Sequence, residues 1–199
     1  MKILLATRNK DKIRELRRIL SGLELEIRTT DDYPGLSETI EDGDSFAENA
    51  LKKAREAAEF AKIPALADDS GLEVDYLGGA PGIYAARYAG PDCTYEDNNR
   101  KLLDALEGVS PEARSAKFVC VAALVIPEET EITRRGEMPG RIAEKPRGEG
   151  GFGYDPIFLL PDGRTVAEIS AGEKSKISHR AESFGKMRSV ISELIEKTP

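Results

Sequence analysis

The chain has 199 residues, 40% of them hydrophobic and 33% charged, with a net charge of −7 and a pI near 5.0. That is enough apolar material for one large domain or two closely packed lobes, and the acidic balance argues against a binder of long polynucleotides, which needs a basic face. Cys93 and Cys120 lie outside any CxxC pattern, so neither a disulfide scaffold nor a zinc site is expected and the compartment reads as the reducing cytoplasm.

The N-terminal apolar stretch is too short for a signal peptide, and no segment approaches the ~20 apolar residues of a membrane span. Residues 2–6 read as a buried strand. Residues 9–20 follow as a helix with Ile13, Leu16, Ile19 and Leu20 on one face. A second strand fits 23–28. The stretch 31–43, rich in Pro, Gly and acid, reads as a loop. Ser45 and Glu48 fit the S-x-x-E capping box and start a long helix. Residues 65–67 then form a short buried strand, ended by Asp68-Asp-Ser-Gly71.

Further on, Gly78-Gly-Ala-Pro-Gly82 is a turn cluster, and 95–106 look helical. Residues 116–127 give the longest strand signal, with 132–137 returning antiparallel. Short strands are expected at 157–160 and 165–169, around Pro161-Asp-Gly163. The chain closes in a helix over 178–197, with Phe184, Met187, Ile191, Leu194 and Ile195 facing inward. The class is α/β with mixed strand directions.

Several constellations carry chemistry. Two adjacent carboxylates, Asp68 and Asp69, repel each other and resist burial. They call for Lys or Arg partners or a hard divalent cation with oxygen ligands. Thr7, Asn9 and Lys12 bridge the first strand and helix, where backbone N–H groups and Lys12 suit a phosphate; an ordinary N-cap by Asn9 or Thr7 explains the same residues. Glu38, Glu41, Asp42, Asp44 and Glu48 cluster near the second helix, and Glu41 or Glu38 suits a Mg²⁺ site, which needs only one or two protein carboxylates. Gly148-Glu-Gly-Gly-Phe-Gly-Tyr-Asp155 lets backbone approach a ligand closely. There Phe152 or Tyr154 can stack on a planar base, and Asp155 can accept from a ring N–H; taken alone, the loop reads as an ordinary turn between strands. Lys174, Lys176, His179 and Arg180 form a basic cluster. Arg180, in the first turn of the last helix, opposes the helix dipole, which points to a ligand-facing role; by charge alone the cluster reads equally well as a solvated face.

Six segments resemble the inosine triphosphate pyrophosphatase (dITP/XTP pyrophosphatase) family, in family order and across nearly the whole chain. They are Ala6-Thr-Arg-Asn-Lys-Asp-Lys12, Ser45-Phe-Ala-Glu-Asn-Ala50, Ala67-Asp-Asp-Ser-Gly-Leu72, Leu77-Gly-Gly-Ala-Pro-Gly-Ile-Tyr-Ala-Ala-Arg-Tyr88, Pro146-Arg-Gly-Glu-Gly-Gly-Phe-Gly-Tyr-Asp-Pro156 and Glu173-Lys-Ser-Lys-Ile-Ser-His-Arg180. The resemblance implies one ITPase-like domain over 1–199: an elongated mixed sheet with flanking helices and two lobes around a central active-site cleft, an architecture also described as anticodon-binding-like. It implies a homodimer and Mg²⁺-dependent hydrolysis of ITP, dITP and XTP to the monophosphate and pyrophosphate, cleansing the nucleotide pool.

Carried over residue by residue, the resemblance gives Thr7, Asn9 and Lys12 the triphosphate. Asp69 becomes the catalytic acid/base and a metal ligand, with Asp68 supporting it and Glu41 (Glu38 as fallback) as second ligand. Ser70 touches substrate. Phe152, Gly153, Tyr154 and Asp155 frame the base, and Lys174, His179 and Arg180 contact base or phosphates. Two other readings compete: a Maf-like pyrophosphatase for other modified nucleotides, and a nucleotide-binding module without catalysis.

Overall fold

The computed structural model describes residues 1–197. The order is β1 (Lys2–Leu5), α1 (Lys10–Ile19), β2 (Glu26–Thr29), α2 (Phe46–Ala61), β3 (Ala65–Val74), β4 (Pro81–Gly82), α3 (Tyr95–Ala105), β5 (Ser115–Ile126), β6 (Thr130–Ile142), β7 (Phe158–Leu159), α4 (Ala171–Ile177) and α5 (His179–Lys197). The strands form a seven-stranded sheet in the order β2-β1-β3-β5-β6-β7, with β4 beside β3. β1 runs parallel to both β2 and β3, whereas β4 and β7 are antiparallel to their neighbours. Only residues 127–129 join β5 to its neighbour β6, a link short enough only for an antiparallel pair. The expected mixed α/β class is what the chain adopts.

The chain divides into two compact units. One comprises Met1–Asp69, Cys120–Gly136 and the chain from Arg180 onward; the other comprises Ser70–Val119 and Glu137–His179. In the first, Ile3, Leu5 and Leu66 from the sheet meet Leu16 and Leu20 of α1 and Phe184, Met187 and Ile191 of α5. The 3.6-residue spacing of those helical positions puts them on one stripe. Cys120 is fully buried there, packing as the small hydrophobe its apolar surroundings suggested. In the second unit, Leu72, Phe118, Met138, Ile142, Tyr154 and Phe158 form a separate core with Leu102 and Leu106.

Several elements differ from the sequence reading: the strand expected over 132–137 spans Thr130–Ile142, and Pro81–Gly82 of the turn cluster pairs as β4. The strand expected over 65–67 runs on to Val74, so the acid pair lies inside β3 rather than after it. Residues 165–169 contain a short 3₁₀ turn, Val166–Glu168, in place of a strand; Thr165 makes one isolated bridge to Leu159. The cause is a capping box, in which Thr165 N donates to Glu168 Oε2 and folds the segment back on itself. A similar box at Ser170 and Glu173 starts α4, a helix across residues whose sequence shows only a basic cluster. At α2, Ser45 Oγ accepts from Glu48 N as expected, but Glu48 Oε2 reaches Asp44 N rather than closing the box on Ser45.

Candidate active site

The site residues fall in two sets, one in each unit. The first set is built around β3. Successive side chains of a strand point to opposite faces of the sheet. Asp68 and Asp69 therefore do not sit side by side; each has its own partners. Both are buried, at 2% and 4% exposure.

Asp68 Oδ2 accepts from Lys12 Nζ of α1 at 2.9 Å and from Arg180 Nη2 of α5 at 3.4 Å. Arg180 is itself buried, and its Nη1 donates to Glu15 Oε2 at 2.6 Å. Burial works against its charge, but Asp68 and Glu15 are among the groups that outweigh it and raise its pKa further. The cation that opposes the α5 dipole is thus held by two carboxylates.

Asp69 faces α2. Its Oδ2 accepts from Asn49 Nδ2 at 3.2 Å and its Oδ1 from Lys53 Nζ at 3.3 Å. Lys53 Nζ also donates to Glu41 Oε1 at 2.6 Å. One ammonium therefore stands between two carboxylates. Burial opposes the charge of Lys53, yet Asp69, Glu41 and Asp68 together raise its pKa. The pKa of Asp69 is raised as well, first by burial; Lys53 and Lys12 pull it down but are outweighed once Glu41 and Asp68 add their repulsion. The cluster keeps its cation firmly and holds Asp69 on the proton-accepting side of an ordinary carboxylate.

The loop before α2 carries the acids. Of the two glutamates weighed as metal ligands, Glu41 joins this cluster, while Glu38 is exposed. Asn49 and Lys53 were not singled out in the sequence. They lie one helical turn apart, and Asn49 shares the buried stripe of α2 with Ala50, Ala54, Ala57 and Ala58. A polar residue on a stripe of buried alanines was the available signal.

At the start of α1, Asn9 is the N-cap: its Oδ1 accepts from Asp11 N at 2.9 Å and Lys12 N at 3.2 Å. Thr7 Oγ1 accepts from Asn9 N at 3.2 Å. Both side chains use an acceptor here, which leaves the Asn9 amide hydrogens and the Thr7 hydroxyl hydrogen to donate elsewhere. Ser70 follows Asp69 on β3, where the second unit begins, and is half-buried.

The second set lies in the glycine-rich loop and α4. Asp155 is 2% exposed, and its Oδ2 accepts from Phe152 N at 2.9 Å and Lys174 Nζ at 2.6 Å. Lys174 Nζ also lies 4.4 Å from the centre of the Phe152 ring. The Asp155 carboxylate thus shapes its own loop. A Cβ on Gly151 would come within 2.0 Å of Asp155 Oδ2, and Gly151 has φ +74°, so glycine is required there. Tyr154 OH donates to Ala85 O at 2.8 Å, and burial raises its pKa. His179 is buried with its ring stacked on Phe118 at 4.9 Å. Lys176, by contrast, is exposed.

A buried acid pair in which each carboxylate is braced by its own cations is the charged arrangement that enzymes use. The chain belongs to the Ham1 family, whose model matches residues 3–190. A dITP/XTP pyrophosphatase of Symbiobacterium thermophilum is 48% identical over 198 residues, covering 98% of each chain. One of Geobacter sulfurreducens is 47% identical over 188 residues, covering 94% of each chain. The solved structure of a HAM1 protein from Coxiella burnetii superposes with a TM-score of 0.89 at 40% identity, covering 97% of this chain and 99% of that one. A dITP/XTP pyrophosphatase from Mycobacterium abscessus gives 0.78 at 42% identity, covering 94% and 98%. Among the described residues no helix is long and apolar enough to cross a membrane.

Proposed function

We propose that this chain hydrolyses the triphosphates of deaminated purines, namely dITP, XTP and ITP, to the monophosphate and pyrophosphate. The observation that carries the reading is the Glu41–Lys53–Asp69 cluster, which holds a buried carboxylate with a raised pKa in a setting rich in charge. The names of the relatives supply the substrate class.

Asp69 is the general base: its raised pKa brings it nearer the operating pH, where a base is most effective. It takes a proton from the water that attacks the α-phosphorus. Asp68 holds Lys12 and Arg180 in place. Lys12, Thr7, Asn9 and the N-terminus of α1 bind the triphosphate as donors, and Ser70 touches substrate. Fixed donors aimed at the charge that develops stabilise the transition state most. Phe152, Gly153, Tyr154 and Asp155 frame the base, with Lys174, His179 and Arg180 contacting base or phosphates. A pocket that donates to a 6-oxo group rejects adenine, because its polar groups would be left unpaired.

The reading includes Mg²⁺, held by Asp69 and Glu41. Two carboxylates already converge on one cationic nitrogen, Lys53 Nζ, and oxygen donors in that number suit a hard ion that takes its other ligands from water and phosphates. When bound, the ion would neutralise phosphate charge and polarise the phosphoryl group. The reading also has the enzyme working as a homodimer in the cytoplasm, which rests on the family resemblance and on two cysteines that form no disulfide.

The test is product analysis with dITP, XTP, ITP, GTP and ATP, with and without Mg²⁺. Pyrophosphate and monophosphate from the deaminated purines, with ATP spared, is the expected result. Release of orthophosphate, or equal turnover of ATP, would overturn the reading. Tight binding of ITP without turnover would point instead to a nucleotide sensor.

A further inference from the structure

The loop Phe152–Asp155 is a tight turn: Asp155 N donates to Phe152 O at 3.3 Å, with Gly153 at φ +64° and Tyr154 at φ −88°. Those signs match a turn that places glycine first of its two central residues. Three of its four residues are tied down by groups already described: Phe152 and Asp155 by each other and by Lys174, and Tyr154 by Ala85. Gly153 has no side chain, and a Cβ there would meet nothing within 4 Å, so packing does not fix it. Its carbonyl is fixed by a residue the function has not used. Asn99 of α3 donates from Nδ2 to Gly153 O at 3.1 Å.

Asn99 is an unusual residue for that place. It is 7% exposed, on the helix face that also buries Leu102, where an apolar side chain would be expected. Its Oδ1 is buried and has no hydrogen-bond partner among the described residues. A buried acceptor left unmade is destabilising. An asparagine kept there for packing alone would be worse than a leucine of similar branched shape. The Nδ2 bond to Gly153 is what distinguishes the two.

We infer that Asn99 is a positioning residue for purine recognition, acting by holding the Gly153 carbonyl and so fixing the tilt of the Gly153–Tyr154 peptide. In a trans peptide the C=O and the following N–H point in opposite directions. With Gly153 O turned toward α3, Tyr154 N–H is aimed away from α3. That N–H has no protein partner among the described residues. Tyr95, one turn before Asn99 on the same helix, packs its ring 6.2 Å from that of Phe152, so α3 sets both the aromatic and the backbone part of the loop.

The inference rests on the proposed purine specificity, and its test separates the two. Wild type and Asn99→Leu are compared for kcat and KM with dITP and dATP, alongside the thermal midpoint of each protein. Leucine keeps the branched shape, at a larger volume, and removes both the donor and the unsatisfied acceptor. The expected result is an unchanged or raised midpoint together with a dITP-to-dATP ratio of kcat/KM lowered roughly tenfold, mainly through KM for dITP. Asn99→Gln, which keeps the amide, should recover part of the ratio. Wild-type discrimination with an unchanged ratio in Asn99→Leu overturns the inference and leaves the proposed function standing. Equal losses on both nucleotides with a lowered midpoint would make Asn99 structural only. Absence of discrimination by the wild type overturns both.

Discussion

Asp68 and Asp69 are neighbours in sequence but serve opposite faces of β3: one meets Lys12 and Arg180, the other Lys53 and Asn49. The strand turns the two carboxylates to different partners and gives each a different task, though Asp68 still repels Asp69. In the linked ion pairs around β3, four carboxylates (Glu15, Glu41, Asp68 and Asp69) meet three cations (Lys12, Lys53 and Arg180). Burial first, then Glu41 and Asp68, raise the pKa of Asp69 against the pull of Lys53 and Lys12.

Lys53 lowers the pKa of Asp69 against burial. Lys53→Met should therefore push that pKa still higher. Turnover should fall roughly 10²–10³-fold, as for loss of one preorganised group. The acidic limb of the pH–rate profile should also move to higher pH. A fall in rate with an unmoved limb would mean that Lys53 acts on the substrate alone.

The raised pKa of Asp69 has a consequence for stability. A carboxyl whose folded pKa lies above its unfolded value binds its proton more tightly when folded. Its contribution favours the fold at low pH and is lost as pH rises through the folded pKa. Asp69→Asn, stripped of divalent ions with chelator, should match the wild type in thermal midpoint near about pH 4 and exceed it near about pH 8. The same variant should be inactive. A midpoint below that of the wild type at the higher pH would contradict the account.

Glu41 shares Lys53 with Asp69, whereas Glu38 is exposed. Glu41→Gln should raise the Mg²⁺ concentration needed for half-maximal rate roughly 10–100-fold. Glu38→Gln should leave it unchanged. Titration of activity with Mg²⁺ after chelation checks this, and reversed behaviour of the two variants would move the ligand to Glu38.

Ser183 is fully buried on α5; its Oγ accepts from Ala122 N at 3.0 Å and donates to Arg134 O at 2.8 Å. Ser183→Ala orphans both backbone groups and should cost about 1–3 kcal/mol of stability. Denaturant unfolding should show it, with KM for dITP unchanged.

Much of this was legible in the sequence, for identifiable reasons. The long periodic helices and the continuous apolar run of β5 declare themselves, because burial of one stripe or of both faces leaves a pattern. The acid pair was legible as chemistry, but its placement was not. Asp68 and Asp69 break the apolar run and so read as its end, while the backbone ladder continues past them to Val74. Residues 165–169 hold β-branched Thr165, Val166 and Ile169 and so read as a short strand, and the Thr165–Glu168 box overrides that signal locally. Lys53 and Asn49 escaped because a charged residue on a helix usually belongs to solvent. Only the arrival of β3 beside α2 makes Lys53 the partner of a carboxylate 16 residues away.

The measurement closest to the central claim is hydrolysis of dITP in heavy-oxygen water, with mass analysis of both products. Water activated by Asp69 and attacking the α-phosphorus places the label in the monophosphate and none in pyrophosphate, and Asp69→Asn should abolish the incorporation. Label in pyrophosphate or orthophosphate, or undiminished incorporation in the variant, would contradict the assignment of the reaction or of its base.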